Sequence, residues 1–512
     1  MKTIVIAGAA MMALVSCSVR STGTMTEEEA TWGAIWGEKG SSVTAEGHLC
    51  LAGKTDPDDK RACRGVNDDF LSSGQAAMYL NRYAAEDYTW RQHINVDRYP
   101  SPLASDDKTA IVTHDAVASY SGEPVYTEVA TAADLYFAVA NPYNRIRLTA
   151  DINLALPNPY EANSYYGELC NVMWPFQGIL DGDGHVLSGL TIEKDQLDVM
   201  GLFDYAQGAT FRNLILKNAS LHGDNNVGAL VGISKNCHYE NVALVGAVAL
   251  RVDDDNLGGL VGSSDHDTFT DCGVSVAGSF QSDDYNVGGL CGTATGSTFT
   301  GCWLGFAGSD TQTLTLNADN ENVGGMVGKS EGCTYANCVA AGVHFSVMDY
   351  TVGGIVGLSN KDTFTDCLTQ QCAIYSDGDG DDAYAGGIAG KADHSTFTRC
   401  TNNSQVIGND DYVGGIVATA VVCTFDHCVN RAAVSHEHTS GASAVDEVVG
   451  GICARADGCA FEACANYAAV SSGDDYCGGI CGYSDDEDAD GKTYETIFHN
   501  CLNAGVITCN DN

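Results

Sequence analysis

Positive charge is scarce in this chain. Lysine and arginine number 25 against 67 aspartate and glutamate over 512 residues, a formal charge of −42. Sequence-independent nucleic-acid binding needs a basic surface, so that class is excluded. The same imbalance opposes adsorption to anionic lipid faces. Long apolar runs are missing too. Ile4 to Val15 is apolar but too short to span a bilayer, and no other segment reads as a transmembrane helix. A zinc-peptidase motif needs His-Glu-x-x-His on a helix, whereas His436-Glu437 is followed by His438-Thr439-Ser440. Helix-forming stretches are broken by 59 glycines, two of them inside every unit of a repeat.

That repeat is what the chain does contain. It reads clearly at Asn286-Val287-Gly288-Gly289-Leu290-Cys291-Gly292. Aligned on the second glycine it recurs at Gly259, Gly289, Gly325, Gly354, Gly387, Gly415, Gly451 and Gly479, after looser copies at Gly201 and Ala229, spaced 28 to 36 residues apart. About ten residues later comes an aromatic followed at three residues by cysteine, from Phe269/Cys272 to Phe498/Cys501. A third apolar run, such as Val406-Ile407 or Val506-Ile507, closes each unit. Three short β-type runs with Gly/Asp/Asn/Ser turns describe one coil of a three-sided parallel solenoid. One coil alone cannot bury its apolar face, but coils stacked every ~4.8 Å can. The Gly-Gly pair is expected to supply positive φ and close backbone approach at a corner.

The chain opens with Lys2, the short apolar run and Leu14-Val15-Ser16-Cys17. This tetrapeptide resembles the lipobox of bacterial lipoproteins, which implies a signal peptide over 1–16 and lipid on Cys17. In that class Asp after the cysteine favours inner-membrane retention; here Ser18 implies the outer membrane, on its periplasmic or its outer face. Residues 17–125 hold no repeat and read as a stalk or small irregular region, with helical spacing around Ala76, Ala77, Tyr79 and Leu80. The solenoid is expected over 126–512. Thr131 N-caps a short helix with Asp134 three residues on, and Arg145 to Leu154 alternates as a strand. An amphipathic helix there would cover the first coil.

The helix, the Leu148-Thr149-Ala150-Asp151-Ile152 strand, the Leu180-Asp181-Gly182-Asp183-Gly184-His185 turn and the Val-Gly-Gly-Leu-Val-Gly repeats together resemble GLUG-motif proteins. These are exported bacterial proteins, among them adhesins and the non-catalytic part of IgA-cleaving metallopeptidases. The resemblance covers about 126–512. It implies a right-handed, single-stranded parallel β-helix but no single function. The cysteine ladder and the absence of an attached catalytic domain depart from that pattern.

There are 22 cysteines. Eight share one repeat position behind an aromatic and are expected to stack as buried free thiols, since side chains in register poorly suit a disulfide torsion. Cys237, Cys333, Cys423 and Cys459 share another position, where other units carry Asp or Ser. Acidic residues gather before each Gly-Gly strand, at Asp283-Asp284, Asp381-Asp382, Asp410-Asp411 and Asp474-Asp475, with Tyr285, Tyr384, Tyr412 and Tyr476 beside them. Loops on one edge of a rigid repeat are where binding concentrates, so this edge is the candidate ligand site. Asp377, Asp379 and Asp381 offer oxygen ligands that suit Ca²⁺; a solvated acidic turn is the other reading. Basic residues such as Lys329, Lys391 and Arg455 read as scattered, and no catalytic cluster stands out. The sequence therefore points to an envelope-anchored, non-catalytic binding or adhesion protein for carbohydrate, host or matrix ligands. A polysaccharide lyase or glycoside hydrolase on the same scaffold is the alternative.

Overall fold

The computed structural model describes residues 49–51, 64–66, 71–81, 88–104, 126–139, 142–155, 175–194, 196–305, 314–318, 322–347, 351–376, 383–409, 412–436, 447–473, 476–489 and 492–509. The chain divides into two units, one of 1–127 with 137–146 and one of 128–136 with 147–512. In the first, a helix Gln75–Asn81 forms where helical spacing was read, and Tyr88–Arg91 pairs antiparallel with Ser101–Ala104. The Asn81 side chain joins them by donating to the Trp90 carbonyl at 2.9 Å. The helix Ala132–Val139 begins at Thr131, whose Oγ accepts from the Asp134 N–H at 3.2 Å, as the cap motif predicts.

The second unit is an all-β parallel solenoid. One coil shows the pattern: Leu257–Gly258, Val261–Asp265, Thr268–Thr270 and Gly273–Ser282. The first two strands belong to two separate ten-stranded sheets. The aromatic strand and the closing run share a third, thirty-stranded sheet. Ten coils are thus complete on the two Gly-Gly faces, while Arg145–Leu148, Ile152–Asn153, Ile179–Asp181 and Val186–Ser188 add opening rungs to the third face. Equivalent positions stack from coil to coil: Leu257 lies over Val287, Val261 over Cys291 and Phe269 over Phe299, with a one-residue shift between Gln370 and Ala373 where Leu368–Ser376 meets Thr401–Gly408.

Close approach explains the glycines of each pair. A Cβ on Gly288 would lie 1.9 Å from the Cys291 carbonyl oxygen, within the same bend. One on Gly325 would lie 2.0 Å from the Gly354 carbonyl oxygen in the next coil. The expected positive φ is not there, because no glycine of these pairs is left-handed. Left-handed residues fill two other corners instead. One corner is the row of Asn236, His266, Gly296, Gly332, Lys361, His394, Val422 and Gly458, with φ between 48° and 65°. Val422 is the one β-branched residue in that row. A left-handed L-residue costs roughly 1–2 kcal/mol, so Val422→Gly should raise stability by about 1 kcal/mol in urea titrations. An unchanged or lower midpoint would mean that packing of the valine outweighs its backbone strain.

Side-chain ladders hold the coils together. Ten rings stack face to face from Phe211 to Phe498, with centroids 4.5 to 5.1 Å apart. The cysteines behind them are free, as expected. Their thiols lie on the preceding coil's aromatic carbonyl, as in Cys338 to Phe299 at 3.5 Å and Cys428 to Phe397 at 3.3 Å. The second cysteine row has a different task. Each residue there accepts the backbone N–H of its counterpart one coil earlier: Ser297 donates to Cys333 at 3.4 Å, Cys333 to Asp362 at 2.7 Å and Asp362 to Ser395 at 3.1 Å. Cys, Asp, Ser and Thr all carry an acceptor of the right reach, which is why they interchange. Burial pushes the Cys237 and Cys333 thiols up to about 12, so they stay protonated. One disulfide, Cys477–Cys509, joins neighbouring strands of the last coil, with Cα atoms 6.0 Å apart. Sequence reasoning did not pair these two.

Two asparagine ladders complete the set. Asn402, Asn430, Asn466 and Asn503 are linked amide to amide at 2.8 to 2.9 Å inside the third face. Each also bonds the backbone two residues on, as Asn402 does with Ser404. Asn226, Asn256, Asn286 and Asn322 form the second, at 2.9 to 3.0 Å.

Candidate functional site

The groove that emerges runs along the bend between the two Gly-Gly sheets. Outward residues of both sheets face one another across it. One wall is the second asparagine ladder, which continues in register as Thr351, Tyr384, Tyr412, Val448 and Tyr476. The other wall reads Ser263, Thr293, Lys329, Leu358, Lys391, Thr419, Arg455 and Tyr483. The cations that looked scattered in sequence therefore share one row, at every second coil. Unequal repeat lengths hid this. The strands on either side of the extra residues keep the same register.

The groove changes character along its length. Towards the C-terminus the two walls touch: the Lys391 ammonium sits 3.5 Å from the centroid of Tyr384, and the Tyr384 and Tyr412 rings stack at 5.2 Å. Arg455 pairs with Tyr412 and, at 3.0 Å, with Asp457. Earlier in the chain the wall residues are small, and a groove of about 400 Å³ opens among Asp255, Asn256, Tyr285, Thr293, Lys329 and Glu331. Tyr285 is 39 % exposed there. Burial, then the neighbouring Asp254 and Asp284 charges, hold the Asp255 carboxyl above its ordinary range, while Lys329 pulls it down.

Part of the expected acidic edge is thus beside the groove. Asp283 and Asp284 stand at the corner next to Tyr285, in line with Asp253 and Asp254 of the preceding coil. The stripe is partly compensated here, because Arg251 bridges to Asp283 at 2.7 Å and His222 lies 2.9 Å from Asp253. The tyrosines do not form one row: Tyr384, Tyr412 and Tyr476 share a register position, and Tyr285 falls one residue earlier. Asp382, Asp410, Asp411, Asp474 and Asp475 lie outside the described residues, as do Cys17 and the Ca²⁺ candidates Asp377, Asp379 and Asp381. Among the described residues, no three His, Cys, Asp or Glu side chains come together as a metal site. No helix there is long and apolar enough to cross a membrane. The open groove offers an aromatic ring, amides, a hydroxyl, an ammonium and two rim carboxylates, a set suited to holding a polar ligand.

No family model matches the chain. A segment of 74 residues is 43% identical to halomucin of Haloquadratum walsbyi, which is 14% of this chain and 1% of that protein. Among solved structures, a Bacteroides ovatus protein assigned as an immunoglobulin A1 protease is 16% identical, with a TM-score of 0.34 over 50% of this chain and 78% of that one. An IgA1 protease, also 16% identical, gives a TM-score of 0.42 over 64% of this chain and 25% of its own length. Likeness at this level carries no argument about activity.

Proposed function

We propose that the chain is an exported, lipid-anchored recognition protein of the bacterial envelope, of the GLUG-repeat kind, that binds glycan chains in its solenoid groove without transforming them. One observation carries the binding reading: the open groove at Asp255, Asn256, Tyr285, Thr293, Lys329 and Glu331. A tyrosine face packs against the C–H face of a sugar ring, and amide, hydroxyl and ammonium donors suit hydroxyl groups. The anchor rests on the resemblance of Leu14 to Cys17 to a lipobox, and Ser18 after it supports an outer-membrane location. Its acidic surface leaves attachment to the lipid rather than to phospholipid head groups.

Expression in a bacterial host tests both parts. Cys17→Ala should move the protein out of the membrane fraction. A glycan array probed with the purified protein should retain polyhydroxylated chains. Tyr285→Ala and Lys329→Ala should each weaken that retention at least tenfold, which is about 1.4 kcal/mol, with melting temperature unchanged. Array binding that survives both substitutions, or no binding at all, sinks the groove reading. Membrane retention of the Cys17 variant sinks the anchor.

A further inference from the structure

Charge in the groove follows a period of two coils. Along one wall Lys329, Leu358, Lys391, Thr419 and Arg455 succeed one another in register, so a cation stands on every second coil with an uncharged side chain between. The facing wall carries no charge from Asn322 to Tyr476. Coils in register rise ~4.8 Å each, which sets successive cations about 10 Å apart. All three cations can donate further hydrogen bonds while keeping their present partners. Lys329 is exposed. The Lys391 ammonium lies 3.5 Å from the Tyr384 ring centroid, a contact that uses one side of a three-donor group. Arg455 gives its Nε to Asp457 at 3.0 Å, and a guanidinium has four N–H groups beyond that one, here with Tyr412 beside them. The acids two residues on from the cations are Glu331, Asp393 and Asp457. The last two are already engaged, Asp393 by His394 at 2.7 Å and Asp457 by Arg455.

Resting on the glycan-binding reading above, we propose that the groove selects acidic glycans whose carboxylates recur on every second sugar, laid along the solenoid axis. A β-linked pyranose chain advances by about one coil rise per sugar, so a disaccharide spans two coils. Each carboxylate of such a chain meets Lys329, Lys391 or Arg455 in a charge-assisted hydrogen bond. The neutral sugars between lie against Leu358 and Thr419. A neutral chain leaves the three cations without an anion. A chain acidic at every sugar brings further carboxylates against Leu358 and Thr419, where nothing neutralises them. It also meets more of the repulsion from a protein of net charge −42. The period of the row therefore sets the selectivity, more than the number of its charges.

Isothermal titration of the full chain with three hexasaccharides provides the test. One comes from hyaluronan and is acidic at every second sugar, one is β-linked mannuronate and acidic at every sugar, and chitohexaose is neutral. The hyaluronan hexamer should bind roughly tenfold or more tighter than either of the others, the scale of charge-assisted hydrogen bonds. Lys391→Gln with Arg455→Gln should erase most of that preference. Leu358→Lys with Thr419→Lys, in a row that already accepts lysine, should instead carry the preference over to the mannuronate hexamer. A wild type that binds a hexamer without preferring hyaluronan overturns the selectivity and leaves the groove reading standing. So does a hyaluronan preference that either double variant, folded as judged by its melting temperature, leaves untouched. Binding of no hexamer at all overturns the groove reading together with it.

Discussion

Phe364→Ala should cost about 3–5 kcal/mol, the range for removing a fully buried phenylalanine. The ring has no exposed surface and lies between Tyr335 at 4.8 Å and Phe397 at 4.7 Å, both nearly parallel to it. Neither neighbour can fill the gap, because each is held by its own coil's hydrogen bonds to the coils on either side. Truncation therefore leaves a cavity and removes two ring contacts, each worth roughly 0.5–1.5 kcal/mol beyond burial. Phe364→Tyr is the control, since Tyr239 and Tyr335 already occupy this row, and it should cost far less. Coils contact only their neighbours, so a weak central coil should also split urea unfolding into two steps. A loss below about 1.5 kcal/mol, comparable to a conservative core swap, would show that the stack is not what holds the coils.

The second large effect concerns pH. Asp267 and Asp362 are buried at the acceptor corner, and burial raises both carboxyls to about 6 from 3.8. Hydrogen bonds oppose that rise: Asp267 accepts from the Cys237 N–H at 2.7 Å and from Ser264 at 2.7 Å, and Asp362 likewise from Cys333 and Ser359. A raised carboxyl pKa means that the folded state binds more protons than the unfolded chain between those two values. Stability from these groups therefore grows as pH falls from 7 through 6 and is complete below about 3.8. At pH 7 each ionised carboxyl costs on the order of 3 kcal/mol. Other carboxylates move oppositely, since Asp366 beside Arg399 is held low, so the comparison must be with a variant. Asp267→Asn/Asp362→Asn keeps the corner acceptor without the charge. It should exceed wild type by several kcal/mol at pH 7, and the gap should close towards pH 4. A wild type that is the more stable at pH 7 would show that the buried anions hold the corner together.

Much of this was legible in the sequence because a solenoid turns recurrence into contact. The Phe-x-x-Cys spacing alone places Phe299 over Phe269 and makes the cysteines a ladder. The asparagine ladders carried an equally plain signal, Cys-x-Asn at Asn402, Asn430, Asn466 and Asn503, which attention to apolar positions passed over. The groove could not be read, because it depends on which outward rows meet across the Gly-Gly bend. The cation row was hidden by unequal spacing between Lys329, Lys391 and Arg455. The left-handed corners are blurred by residues such as Val422 and Arg399, which hold φ of 50° and 52° without being typical of it.

The stacking of each repeat position on its own counterpart has an evolutionary meaning. A whole unit gained or lost by unequal recombination leaves every interior ladder closed and shifts the length by one rise of ~5 Å. Copy number therefore sets reach, while the residues facing the groove are free to drift unit by unit. Such a lineage inherits a fixed core and rewrites its ligand-facing text one line at a time.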